Sequence, residues 1–242
     1  EAKIGRFIAG SRTRLEICTK LPPVDPDADV RAIVADAVEG SLARLGVERV
    51  DAYLVHRAAD LRRHGRGLID ALAEQRARGR IERIGVSVYG PDDAALALTY
   101  EELTVVQHPL NLLDRRIVSS GVLDKLEARG VVTYARSVFL QGLLTLSPDE
   151  LPERVVHARP TLGALRQLLS RWGVAPTDVA LPFVASTAGV DRVVVGVETP
   201  EQLRANVAAL ERDVPVGLAA ALDDLDVPLS VVDPTLWPEE LK

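Results

Sequence analysis

The chain has 242 residues, 47% apolar and 26% charged, with a net charge of −6. That is long enough to bury a full core as one large α/β barrel or two small domains. The acidic balance argues against nucleic acid as a partner and gives no footing on an anionic membrane, and no signal peptide or bilayer-length apolar run is evident. The single cysteine, Cys18, excludes an internal disulfide framework; it reads as a buried strand residue and makes a cytoplasmic setting the default.

The chain opens on "EAKIGRFIAG", which reads as the second half of a helix. Short β-branched runs then alternate with stretches of helical period. "RLEICTK" (14–20) is a strand, and the stretch after Asp29 to Gly46 is a helix. "VDAYLVH" (50–56) is the next strand, followed by the helix "LIDALAEQRARG". "IERIGVSVYG" (81–90) holds a strand ending in a glycine turn, and "DDAALALTYEE" is helical. "LTVVQHP" (103–109) is a strand stopped by Pro109, and "GVLDKLEARG" is a helix closed by Gly130. "VVTYARS" (131–137) is a strand, followed by two helices in "TLGALRQLLSRWG" and "APTDVALPFVASTAG". "RVVVGV" (192–197) is the last strand, running into the helix "TPEQLRANVAALE". There Thr199 can cap, Pro200 suits the first turn, and Gln202 completes a capping-box spacing.

Six strands, each followed by helix, predict a parallel sheet with right-handed crossovers. Near-continuous apolarity predicts strands covered on both faces. The first strand–helix turns carry no G-x-G-x-x-G, so the dinucleotide fingerprint of an open doubly wound sheet is absent. The expected fold is therefore an α/β barrel of the TIM (β/α)8 type. Such a barrel needs eight strands and about 250 residues. With six βα units visible, residues 1–242 read as a single, N-terminally incomplete barrel domain.

Barrel chemistry gathers at the C-terminal ends of strands. Those ends supply Lys20, His56, Ser87, Gln107, Arg136 with Ser137, and the run Gly196 to Thr199. One polar strand end reads as an ordinary loop edge; six in succession read as a site. A lysine at such a rim can shift a neighbour's pKa or have its own shifted. His56 can serve as acid, base or hydrogen-bond donor. His64, His108 and His157 lack periodic context and read as surface or loop residues. No cluster has metal-ligand spacing, so no metal is expected. No G-x-S-x-G elbow is present.

In these segments the chain resembles the aldo-keto reductases. "SRTRLEICTK" looks like the family's third strand with its lysine, and "SLARLGVERVDAYLVH" like the helix and strand that lead to its histidine. "GRIERIGVS" and "VVQHPLNLLDRR" resemble the next two strand regions. "ARSVFLQGLL" and "VVVGVETPEQLRAN" resemble the two cofactor segments. The resemblance implies a (β/α)8 barrel that moves a hydride between NAD or NADP and a small-molecule carbonyl or alcohol. Of the family's catalytic aspartate, tyrosine, lysine and histidine, Lys20 and His56 match the last two. The aspartate and tyrosine belong to a segment upstream of Glu1; Tyr53, Tyr89, Tyr100 and Tyr134 do not match that tyrosine.

By the same resemblance, Ser87 and Gln107 hold the nicotinamide carboxamide. Val88 stands where the family often has asparagine, and Arg136 where it often stacks an aromatic ring. Ser137, Phe139, Gln141, Gly142 and Leu144 fall on the pyrophosphate side. Gly196, Glu198 and Thr199 lie at the mouth of the last helix, and Gln202 and Asn206 approach the adenine. Glu198 occupies a position where NADP-preferring members often carry a cation. A glutamate there repels a 2′-phosphate and accepts from a free ribose hydroxyl, which favours NAD; Arg192 and Arg204 are the alternative cations. The loop 145–160 is the expected seat of substrate specificity.

Three readings follow. The first is an oxidoreductase of this family. The second is a catalytically silent barrel that binds nucleotide or a partner, with oligomerisation covering an open barrel side. The third is an unrelated barrel enzyme using Lys20 through a Schiff base.

Overall fold

The computed structural model describes residues 1–238. The elements in chain order are α1 (Ala2–Gly10), β1 (Cys18–Leu21), α2 (Val30–Leu45), β2 (Val50–Val55), α3 (Ala58–Ala77), β3 (Ile81–Ser87), α4 (Pro91–Ala97) and β4 (Leu103–Pro109). They continue with α5 (Arg116–Ser119), α6 (Val122–Ala128), β5 (Val132–Arg136), α7 (Arg159–Leu169), α8 (Pro176–Ala185), β6 (Arg192–Val193), α9 (Pro200–Ala209), α10 (Leu218–Asp223) and α11 (Leu229–Val232). The chain forms two compact units. Among the described residues, one holds 1–108 and 125–133, the other 109–124 and 134–238.

In the first unit β1 to β4 pair in parallel, each with its sequence neighbour. The helices between them form where local chemistry asks for them. The Asp29 side chain accepts from the N–H groups of Arg31 and Ala32, at 3.0 and 3.2 Å, and so caps α2. Gly46 ends α2 in the left-handed region (φ 67°), donating to the Leu42 carbonyl. Val34, Val38 and Leu45 form its buried stripe at helical spacing. The helix expected from Leu68 begins earlier, at Ala58, and is broken at Gly65, whose φ of 49° and ψ of −128° only glycine adopts readily. β2, β3 and β4 are almost wholly buried, as strands covered on both faces should be.

Three expectations in this unit are overturned. His64 is not a surface or loop residue: it lies within α3, half-buried, with its Nε2 buried. His108 is not a surface or loop residue: it lies within β4 and is fully buried, because that strand is covered on both faces. Cys18 is not buried but exposed, because β1 pairs with β2 alone among the described residues and only its last residue, Leu21, is fully covered. Its thiol nevertheless loses enough hydration for desolvation to push it up to about 11, against a weaker opposing pull from the Lys20 charge. The thiolate is the nucleophile. Alkylation of Cys18 by iodoacetamide should therefore still climb about tenfold per pH unit between roughly pH 8 and pH 10, where an ordinary thiol begins to level off. A plateau by pH 10 would contradict this environment.

In the second unit β5 pairs in parallel with β6 through Tyr134 and Arg192, and Ala135 and Val193. The strand expected over 192–197 is a correction: only Arg192 and Val193 pair as strand. One more ladder bond follows, from Val194 N to the Ala135 carbonyl at 2.7 Å. Beyond Arg136 the partner strand has ended, and the backbone to Thr199 runs irregularly with Val194 and Val197 about two-fifths exposed. α7 buries Leu162, Leu165, Leu168 and Leu169 on one face. α8 starts on Pro176, where a missing N–H costs nothing. Among the described residues no helix is long and apolar enough to cross a membrane.

Candidate active site

The register of the first unit decides which strand-end residues share a face. Residues opposed in a parallel ladder point the same way, and the direction alternates along each strand. Lys20 opposes Leu54, Leu54 opposes Gly85, Gly85 opposes Val105, and Ser87 opposes Gln107. Lys20, Ser87 and Gln107 therefore emerge on one face, and His56, two residues beyond Leu54, continues the same alternation. Tyr53 and His108 belong to the other face. The phenol of Tyr53 is fully buried, 3.4 Å from the Ser41 hydroxyl, and burial raises its pKa.

The four residues differ in exposure. His56 is exposed and Lys20 half-buried. Ser87 and Gln107 are buried, at 3% and 4% exposure. The Gln107 backbone carbonyl accepts from Val88 N at 2.8 Å, but its side-chain Oε1 is buried without a hydrogen-bond partner. An acceptor left in that state costs about 1–3 kcal/mol, which a donor from a bound molecule would recover. A carboxamide N–H is such a donor, so the residues present fit a nicotinamide ring system.

The second unit contains a cavity of about 860 Å3, inside the range of cofactor sites. Ser137, Phe139, Gln141, Gly142, Gly196, Glu198, Gln202 and Asn206 line it. Arg136, Leu144 and Thr199 do not contribute to its lining; Leu144 is buried at 1% exposure and Arg136 donates to the Ser137 hydroxyl at 3.0 Å. The turn after β5 holds three non-glycine residues at positive φ: Ser137 at 61°, Leu140 at 46° and Gln141 at 52°. Such conformations cost of order 1–3 kcal/mol each and persist where the surroundings over-determine them. Here Leu140 N donates to Ser137 O at 2.8 Å and Gly142 N to Phe139 O at 2.9 Å. Asn111, fully buried, donates from Nδ2 to Ser137 O at 3.1 Å, while its Oδ1 accepts from Leu113 N and Asp114 N, both at 2.9 Å.

The mouth of α9 is organised by side chains. Thr199 caps as its sequence predicts, accepting from Gln202 N at 3.2 Å. Gln202 Oε1 reaches past the cap residue and accepts from Glu198 N at 2.7 Å. Arg204 is engaged with Glu201 at 2.9 Å.

Asn111, Asp178 and Arg212 are cavity or turn residues that sequence reasoning missed. Asp178 and Arg212 line the cavity and form an ion pair across 34 residues of chain. Nothing local marks that pair. Asn111 carries a weak signal, because an Asn followed by "LLD" suits a side chain that bonds the backbone two or three residues on. Among the described residues no group of three His, Cys, Asp or Glu could hold a metal ion.

The chain is 29% identical to the L-glyceraldehyde 3-phosphate reductase of Escherichia coli O157:H7, over 87% of this chain and 70% of that protein. It is 27% identical to the NADH-specific methylglyoxal reductase of Escherichia coli K12, over 73% of this chain but only 59% of the relative. Its fold matches that of an aldo-keto reductase from Bacillus halodurans, solved in its holo form, with a TM-score of 0.78. That match covers 96% of this chain and 80% of that one at 24% sequence identity, and it assigns the (β/α)8 barrel fold. The model of the Aldo/keto reductase family matches residues 1–226, nearly the whole length, and on that extent of match the chain belongs to the aldo/keto reductase family.

Proposed function

We propose that this chain carries out nicotinamide-dependent oxidoreduction, moving a hydride between NAD(P) and a small carbonyl or alcohol. The observation that carries the reading is the shared face of Lys20, His56, Ser87 and Gln107, with a buried, unsatisfied acceptor at Gln107. In the first unit, Ser87 and Gln107 hold the carboxamide and set which face of the ring meets the substrate. In the second unit, the strained Ser137–Gly142 turn offers backbone and hydroxyl groups to a pyrophosphate, and Gln202 and Asn206 meet the adenine. A bound nicotinamide would supply the hydride chemistry.

The chain's own residues supply orientation and charge. His56, at an exposed strand end, donates to the substrate oxygen and stabilises the negative charge that grows there. Lys20 places a cation on the same face and stabilises the anion left on the group that gives up the proton. Small carbonyls are the substrate class; the relatives named above act on a phosphorylated triose and on methylglyoxal.

Consumption of NADH and NADPH with a panel of small aldehydes, followed by nicotinamide absorbance, tests the reading. Turnover with at least one aldehyde is expected. Nucleotide binding without any turnover would overturn it in favour of a silent barrel.

The preference between cofactors follows from Glu198. It is exposed at the mouth of α9 and lines the cavity, where it repels a 2′-phosphate. NADH should bind more tightly than NADPH by on the order of tenfold, about 1.4 kcal/mol. Glu198→Lys should narrow or reverse that ratio in a fluorescence titration. Clearly tighter NADPH binding by the unaltered protein would refute the assignment.

A further inference from the structure

We infer that Asp60 is a positioning residue for the reaction: one buried carboxylate ties together the segments that leave Lys20 and His56. The inference rests on the reading of those two residues given above. Asp60 is 2% exposed, at the start of α3. Its Oδ1 accepts from Arg57 Nη2 at 3.0 Å, and its Oδ2 from Arg57 Nε at 3.2 Å. The same Oδ2 accepts from the backbone N–H of Val24 at 3.4 Å. Arg57 follows His56 directly and is the cap residue of α3. Val24 follows Lys20 through Leu21, Pro22 and Pro23.

The connection to Lys20 is stiff. Each proline fixes its φ and lacks an N–H, so Val24 offers the first backbone donor after β1. Val24 is itself buried at 1% exposure. A bond at that donor therefore holds the strand end through a short segment with little freedom. The connection to His56 is shorter still. The forked pair with Arg57 fixes the residue next to the histidine, and the carboxylate sits in the first turn of α3, where the helix favours an anion. A buried carboxylate is costly unless its oxygens are satisfied, and here both oxygens accept. β1 and β2 are already neighbours through the backbone ladder, with Lys20 opposite Leu54 and Leu21 opposite Val55. The ladder stops there, and Asp60 continues the cross-link beyond the last paired residues. It touches no reacting atom; it acts by holding two residues that do.

The test compares Asp60→Asn, Arg57→Gln, their double variant and Lys20→Met in the full protein. Asp60→Asn keeps the shape and one acceptor but loses the charge that anchors the fork. Turnover should fall on the order of 100-fold, since a displacement of about 1 Å has that effect on positioned groups. Cofactor affinity should stay within about twofold, because neither Ser87 and Gln107 nor the residues that line the cavity of the second unit are altered, and loss in kcat without loss in cofactor affinity is a signature that general loosening would not give. Arg57→Gln should reproduce much of the loss, and the double variant should be little worse than the worse single one, as expected of residues that act together. Asp60→Asn with wild-type kcat, in a protein where Lys20→Met is inactive, overturns the inference alone. Wild-type kcat in Lys20→Met overturns the reading of the site on which it rests. Should Asp60→Asn fail to fold, the half-exposed Arg57→Gln carries the test, and wild-type kcat there overturns the inference.

Discussion

Replacing Lys20 by methionine should lower turnover on the order of 1,000-fold, within the range expected when proton transfer loses its positioned partner. Methionine keeps an unbranched stem of similar reach, so the half-buried position stays filled and only the cation is lost. Lys20 shares a face with Ser87 and Gln107, and its ladder partner Leu54 has the same orientation as His56. The residues that line the cavity of the second unit are unaltered by the change. Nucleotide affinity should therefore hold while kcat falls. Steady-state kinetics with a turned-over aldehyde, beside a fluorescence titration with NADH, separates the two quantities. A loss below tenfold would remove Lys20 from the chemistry.

Gly85→Ala should be strongly destabilising. An ideal Cβ at this position would lie 2.4 Å from the Val105 carbonyl oxygen, 2.6 Å from Leu54 Cδ2 and 2.7 Å from Val105 Cβ. Two of these atoms sit on the facing strand β4 and one on β2, so relief on one side tightens the other. The carbonyl is backbone and cannot rotate away. Overpacking of this kind costs about 1–3 kcal/mol or more. The upper end applies here, equivalent to a fall in Tm of about 6–12 °C for a domain of this size. Gly163→Ala in α7 is the control: its Cβ meets nothing within 4 Å, and alanine should hold or raise stability. Thermal unfolding of both variants checks the pair of expectations. A Gly85→Ala protein that melts with the wild type would mean that the strands β2 to β4 are not packed as described.

Much of the architecture is legible without coordinates, and particular residues show why. β4 has the bounds its sequence predicts, because a β-branched run is stopped by Pro109, which cannot continue the ladder. α2 starts and stops on Asp29 and Gly46 for reasons contained in the residues themselves. Where the signal is local but incomplete, the reading falls short. The first turns of α3 are polar and interrupted by Gly65, so only the later, periodic half stands out. β6 carries a strand-like run of valines, yet a strand forms only where a neighbour supplies partners, and β5 ends too soon.

The candidate site divides the same way. That polar residues end apolar strands is written in the chain order, and so are the resemblance to the aldo/keto reductases and the cap at Thr199. That Lys20, His56, Ser87 and Gln107 share a face depends on register, which is set by pairing between strands tens of residues apart. That His108 is buried while Cys18 is exposed depends on which strands are covered by others. The ties between Asp60 and Val24, Asn111 and Ser137, and Asp178 and Arg212 span 36, 26 and 34 residues of sequence. Local composition and periodicity decide which elements form and where they start and stop. Long-range packing decides which of their side chains meet, because a hydrogen bond or ion pair between distant residues leaves no periodic mark on either segment that makes it.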